Sequence, residues 1–211
     1  MRRGADPTDP DAGDVGPRPP HVTLRDPAAL RRARAVIEEH GWDAVTMEAL
    51  ASALDVSRMT LHRRGVRRAD VLRALGVLLE DDYRAALWPV LTASGTGRER
   101  LELALRALCR VTEENLTLLA ALDAAERDAI FHEDAGGSEL LTRPVFTDPL
   151  LAILRDGAAD GTLAPDDAEE DATVLFNLVA WTYRHLRLAH RWSARRATAA
   201  VTRKALRSVS A

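Results

Sequence analysis

The sequence predicts an all-α fold of about nine helices, and three features predict it. Large apolar residues recur three and four positions apart in block after block, as in Leu101, Leu105, Leu108 and Val111. Several blocks open on a capping Asp, Thr or Ser or on a proline, and close on Gly or Pro. No segment sustains the two-residue alternation of a strand, and no hairpin turn joins two apolar runs. There is no internal repeat.

Residues 1–25 carry Pro7, Pro10, Pro17, Pro19 and Pro20 with three glycines and few large apolar groups, so they read as a disordered arm. Some such arms enter a minor groove, and Arg2, Arg3 and Arg18 suit that role, although an idle tail is the stronger reading. Asp26-Pro27 then starts a first helix, lined by Leu30, Ala33, Val36 and Ile37 and ended at His40-Gly41. Thr46 caps a short second helix with Met47, Leu50, Ala51 and Leu54 inward. Asp55-Val56-Ser57 makes the turn, Ser57 caps a third helix, and Gly65 breaks it. A fourth helix is expected from about Ala69 to Trp88, stopped by Pro89. Beyond Gly95–Gly97 come a block through Leu118 and a short helix near 121–132. A segment from Leu140 to Arg155, interrupted by Pro144, and two last helices over 166–191 and 194–208 complete the chain. The domains expected are an arm at 1–25, a helix-turn-helix unit at 26–80 and a larger helical unit at 81–211.

With 211 residues and 46% hydrophobic content the chain has enough apolar surface for one or two packed cores. No apolar run reaches membrane-spanning length, and a cytoplasmic protein is expected. Cys109 is the single cysteine, so no internal disulfide or cysteine-based metal site is available. A net charge of −3 speaks against nucleic acid until its distribution is considered. Residues 57–68 hold Arg58, Arg63, Arg64, Arg67 and Arg68 and no acid, whereas 156–171 hold seven acids and no base. A compact basic footprint on an acidic chain suits a local DNA-contacting module.

The informative stretch runs from Thr46 to His62. Two short helices can cross steeply only where a small residue sits at their closest approach, and Ala51 supplies it. Leu50, Leu54, Val56 and Leu61 form the apolar knot behind them, which turns Arg58, Thr60, His62 and Arg63 outward. Arginine forks can read guanine or clamp phosphate, and hydroxyls can donate to either. Arg67 and Arg68 stand at the start of the fourth helix, where backbone N–H groups also favour an anion. The candidate DNA contacts are Thr46, Ser57, Arg58, Thr60, His62, Arg63, Arg67 and Arg68.

Residues 30–72 resemble the DNA-binding domain of the TetR family of bacterial regulators, through Gly41, Thr46, Ala51, Val56, Ser57, Thr60 and Leu61. His62 stands where the family usually has Tyr, Gly65 where it has Phe, Arg68 where it has Lys, and Asp55 where it has the turn Gly. The loss of the aromatic at 65 removes an anchor between the third helix and the core. The resemblance implies a homodimer formed through about 166–208 and a non-enzymatic regulator. It further implies a repressor released from a palindromic operator by a small-molecule effector. No cofactor is implied.

Val174, Leu175, Leu178, Val179 and Leu186 give the eighth helix more apolar surface than one core face needs, and Ala180 would allow a second copy close approach. Trp88, Leu105, Cys109, Phe146, Phe176 and Trp181, with Leu116 and Phe131, are candidates for lining an effector pocket, and for each alone ordinary core packing is the stronger reading. Asn177, Tyr183 and His185 are candidates for polar groups within it. The acids at 166–171 follow Pro165 at a helix start, where carboxylates favour the macrodipole. Two rivals remain: an all-helical metal-dependent enzyme using Glu80-Asp81-Asp82 and the 166–171 cluster, and a helical adaptor that binds no DNA. The basic run from Arg184 to Arg207 reads as a solvated rim.

Overall fold

The computed structural model describes residues 24–125, 132–134 and 140–211. Among them are nine helices and one short ribbon: α1 (Pro27–His40), α2 (Met47–Ala53), α3 (Arg58–Arg63), α4 (Arg68–Leu91), α5 (Gly97–Glu114), α6 (Leu116–Ala125), β1 (His132–Asp134), β2 (Leu140–Thr142), α7 (Pro144–Ala159), α8 (Ala168–Leu188) and α9 (Ala194–Ser208). The all-α expectation holds. No helix of the described residues is long and apolar enough to cross a membrane.

Local chemistry explains the helix starts. Asp26 Oδ1 accepts from Ala28 N at 3.0 Å with Pro27 in the first turn. Thr96 caps α5 while Glu99 reaches back to the Thr96 N–H at 2.9 Å, a reciprocal box. Asp167 opens α8 by accepting from Glu169 N and Glu170 N, so part of the acidic run is spent on the helix end.

Several boundaries differ from expectation. Pro89 lies inside α4, which continues to Leu91. Both Pro89 and Ala85, whose carbonyl loses its helical partner there, face solvent, so water offsets the missing bond. The block ending at Leu118 is two helices, because Asn115 ends α5 and its Nδ2 donates back to Val111 O at 2.9 Å. The expected helix near 121–132 stops at Ala125, and residues 126–131, with Phe131, lie outside the described residues. Leu140–Thr142 is a strand, and α7 starts only at Pro144. It pairs antiparallel with His132–Asp134, Leu140 opposite Asp134. Three residues are too few for alternation to show in sequence. Of the expected arm, residues 1–23, with Arg2, Arg3 and Arg18, lie outside the described residues; Leu24 and Arg25 form a turn, and Leu24 packs on the core.

The body is built around α5, which touches α4, α7, α8 and α9. Tyr83, Phe146 and Phe176 meet at its centre, with Phe146 and Phe176 stacked at 5.1 Å and Tyr83 edge-on to Phe146 at 5.4 Å. Burial pushes the Tyr83 phenol up to about 12, and its hydroxyl is paired with Thr112 Oγ1 at 3.0 Å. At one end α5 and α7 approach through two glycines: a methyl on Gly97 would stand 2.2 Å from Gly157 Cα.

Candidate nucleic-acid interface

Two helix ends of the same kind shape the basic region. At the end of α2, Val56 N donates to Ala51 O at 2.9 Å and Asp55 N to Ser52 O at 3.0 Å, with Asp55 at φ 59°. At the end of α3, Val66 N donates to Leu61 O and Gly65 N to His62 O, both at 3.0 Å, with Gly65 at φ 67°. Each is a Schellman closure: one left-handed residue reverses the chain, and the next apolar residue turns back onto the core. Val56 and Val66 are that apolar residue, and both pack against the buried cluster. The left-handed backbone expected at Asp55 is therefore present. Gly65 stands in for no aromatic anchor, because Val66 supplies the fastening.

The α3 helix is pinned by one residue. Leu61 is fully buried, packed with Leu50 and Ala51 of α2 and with Leu54 just after it. A six-residue helix with its centre inward must turn its remaining positions out. Arg58, His62 and Arg63 are exposed, as is Met59 at 69%. Met59 was missed in the sequence because an apolar residue reads as inward. Its spacing from Leu61 carried the signal, since two positions along a helix is the opposite face.

The hydroxyls are busier than the arginines. Ser57 Oγ accepts from Thr60 N at 3.0 Å and is paired with Thr60 Oγ1 at 2.8 Å. Thr46 Oγ1 accepts from Ala49 N at 3.1 Å. Thr46 and Ser57 are exposed, so each cap can still meet a phosphate with its remaining lone pair or proton. Arg67 is exposed and shares Asp70, whose Oδ2 lies 3.5 Å from its Nε. The Arg67 backbone N–H, with Arg67 and Arg73 nearby, holds the Asp70 carboxyl below the usual carboxylate range.

Arg68 departs from expectation. Its guanidinium is folded back, donating to Trp42 O and lying 4.3 Å from the Trp42 ring centroid. It braces α4 against the loop after α1 and does not project with its neighbours. Arg32 makes a related brace, Nε to Ala53 O at 2.9 Å, at the end of α2. The unit is tied to the body by Arg34, which reaches Asp82 Oδ2 at 2.6 Å and Asn115 Oδ1 at 3.2 Å.

The pocket candidates divide. Leu105, Cys109, Phe146 and Phe176 are fully buried in the common core, and burial pushes the Cys109 thiol up to about 11. Trp88 is 65% exposed, because Tyr83, Leu87 and Val90 set the inward face of α4 and position 88 falls opposite. Leu116 is half-buried at the start of α6. Trp181 lines a cleft of about 240 Å³ with Asp123, Arg184, His185, Leu188 and Ala189. Asn177 holds Thr142 of β2 at 3.1 Å, and Tyr183 donates to Glu113 at 2.9 Å. Ala180 is buried within its own chain, so it offers no close approach to a second copy. Val174 and Leu188, with half-buried Leu178 and Trp181, form an apolar stripe on α8 that the described residues leave uncovered.

The acids proposed as a metal cluster are held apart by different arginines: Glu80 by Arg143, Asp81 by Arg84 and Asp82 by Arg34. Among the described residues no group of three His, Cys, Asp or Glu side chains is placed to hold a metal. The basic run from Arg184 is only partly a rim. Arg184 is 5% exposed and Arg187 is paired with Glu113 at 2.6 Å.

Residues 29–75 match the family model described as bacterial regulatory proteins, tetR family. No curated protein matches the chain. Among solved structures the chain is similar to PfmR, a TetR-family transcriptional regulator from Thermus thermophilus, at 22% identity and TM-score 0.60, covering 85% of this chain and 97% of that one. A tetR-family regulatory protein from Rhodococcus RHA1 matches at 20% identity and TM-score 0.64, covering 86% and 97%. A further regulator, from Mesorhizobium loti, matches at 16% identity and TM-score 0.63, covering 90% and 99%. At these identities the structures speak for the fold, and the family model speaks for the N-terminal unit. Residues 29–75 thus resemble the helix-turn-helix domain of the tetR family of bacterial regulatory proteins, within a fold shared with solved regulators of that family.

Proposed function

We propose that the protein is a homodimeric repressor that holds a palindromic operator and is released from it by a small molecule. It works in the cytoplasm, with a DNA-binding unit over 26–80 and an effector and dimerisation unit over 81–211. The observation that carries the reading is the outward face of α3, where Arg58, His62 and Arg63 stand exposed around a single buried Leu61. Arg58 and Arg63 read base edges or phosphates, Met59 offers an apolar contact to a thymine methyl, and Thr46, Ser57, Thr60, His62 and Arg67 hold the backbone. Arg68 leaves the contact set and serves as a brace. Val174, Leu178, Trp181 and Leu188 supply the apolar face on α8 through which two copies pair over 166–208. Pairing matters because two recognition helices about 34–36 Å apart meet one face of the duplex a turn apart.

Titrating the protein against genomic fragments at two salt concentrations tests the reading. Sequence-selective binding that weakens steeply with salt is expected, since every neutralised phosphate releases counterions. Absence of binding even at low salt would leave a helical adaptor in its place.

A further inference from the structure

Arg34 stands where the N-terminal unit meets the body, on α1, which touches both α4 and α6. Its Nη1 donates to Asp82 Oδ2 of α4 at 2.6 Å and to Asn115 Oδ1, at the joint of α5 and α6, at 3.2 Å. Glu38, one turn further along α1, lies 3.3 Å from its Nε and steadies the guanidinium. Asn115 is itself held in place. It is buried, and its Nδ2 donates to Val111 O at 2.9 Å, which leaves its Oδ1 for the arginine. One cation thus ties α1 to α4 and to the α5–α6 joint.

The tie is placed to set an angle. The unit moves as one piece with α1, because α1 packs on α2 and α2 on α3, and Arg32 Nε holds Ala53 O at 2.9 Å. The α4 helix runs from that piece into the body, and a single rod leaves the piece able to roll about the rod's axis. Apolar contact between α1 and α6 is non-directional and yields to small slides. Hydrogen bonds from a charged fork weaken steeply with angle, so they hold one position. Any roll carries α3 with it and changes the separation of the two reading helices in a dimer. The core itself does not need the tie. A cleft of about 260 Å³, lined by Arg34, Asp82, Ala85, Arg110, Glu114 and Asn115, opens on these groups, so water can stand in for the guanidinium once it is removed.

We propose that Arg34 is a positioning residue for operator reading: through Asp82 and Asn115 it fixes the angle of the DNA-binding unit on the body, and with it the half-site spacing that the dimer accepts. The inference rests on the homodimeric reading above and assigns a residue to its choice of spacing. Arg34 does this without touching DNA.

The test uses a fragment selected in the genomic titration, remade with its half-sites one base pair closer and one and two base pairs farther apart. Wild type is expected to lose about tenfold or more in affinity at each altered spacing, roughly the cost of a mismatched base pair. Arg34→Met is expected to bind the natural spacing about tenfold more weakly and the altered spacings nearly alike, and Asp82→Ala to do the same. Asp82 has no positive charge for a phosphate to meet, so its effect on DNA comes only through the arginine. Salt dependence separates positioning from contact. Loss of a phosphate contact lowers the slope of log affinity against log salt by about one, and both variants are expected to keep the wild-type slope. A wild type indifferent to spacing, a wild-type spacing profile in Arg34→Met, or a slope reduced by one overturns the proposal. Should Arg34→Met fail to fold, the spacing profile of Asp82→Ala decides in its place. A wild type that selects no fragment sinks the regulator reading and this one with it; a wild type that selects one, beside a variant with the same profile, sinks this one alone.

Discussion

Asp55 shows how much one residue gives up for a turn. At φ 59° an L-residue crowds its own carbonyl, and aspartate tolerates this better than most. Asp55→Gly is therefore expected to raise stability by about 0.5–1 kcal/mol, seen as a higher melting temperature, because the turn is kept and the strain removed. An unchanged or lower melting temperature would show that the side chain does more than tolerate the turn. Arg63 and Arg68 make a second contrast. Arg63→Ala is expected to weaken DNA binding about tenfold or more at unchanged melting temperature, since its side chain is exposed on the outer face of α3. Arg68→Ala is expected to lower the melting temperature by removing its stack on Trp42, worth about 0.5–1 kcal/mol. The reverse pattern would exchange their roles. The outward arginines of α3 were legible because Leu61 joins Leu50, Leu54 and Val56 in one apolar knot, whereas exposed Met59 was not. Arg68 was not, because its partner Trp42 is 26 residues earlier in the chain.

At the level of elements, caps and breaks were the readable part. Asp26, Thr46, Ser57 and Gly65 each act where local chemistry places them. Pro89 and the short ribbon were unreadable, because the first depends on which side faces water and the second on pairing. The approach of α5 to α7 was equally hidden, since nothing near Gly97 announces Gly157. Gly97→Ala is expected to destabilise by about 1–3 kcal/mol, because the methyl meets backbone that cannot step aside. A wild-type melting temperature in that variant would mean the helices separate freely. The α5–α8 contact also carries a charge device. The Arg187 guanidinium beside Glu113, helped by the Tyr183 hydroxyl, holds that carboxyl below the usual carboxylate range. A carboxylate depressed on folding stabilises fully above its unfolded value of about 4.3, and that stabilisation fades as pH falls through the folded value. Glu113→Gln is expected to flatten the acid side of the stability profile, measured by urea unfolding at several pH values. An acid limb as steep as wild type would assign the loss to other carboxylates.

For the whole molecule, the uncovered α8 stripe is the feature that asks for a second copy. Leu178→Glu puts a charge in its middle, where burial without a partner is costly. The expected result is a monomer in sedimentation with its helical circular dichroism intact, and weaker operator binding because two half-sites are no longer read together. A dimer of unaltered mass would move the contact elsewhere. The apolar excess of this helix was legible in sequence, but which part of it stays outside was not: Leu175 and Val179 serve the core, while Val174 and Leu188 do not.

The α4 helix belongs to both halves of the protein. Its first turns bury Val71, Leu72 and Leu75 near the DNA-reading unit, and its later turns bury Tyr83, Leu87 and Val90 in the body, within one continuous cluster. Neither half can lose its order and leave that rod intact for the other. Heat or denaturant should thus take the molecule apart in one cooperative step, so an N-terminal unit that has come loose from the body is a species the chain scarcely visits.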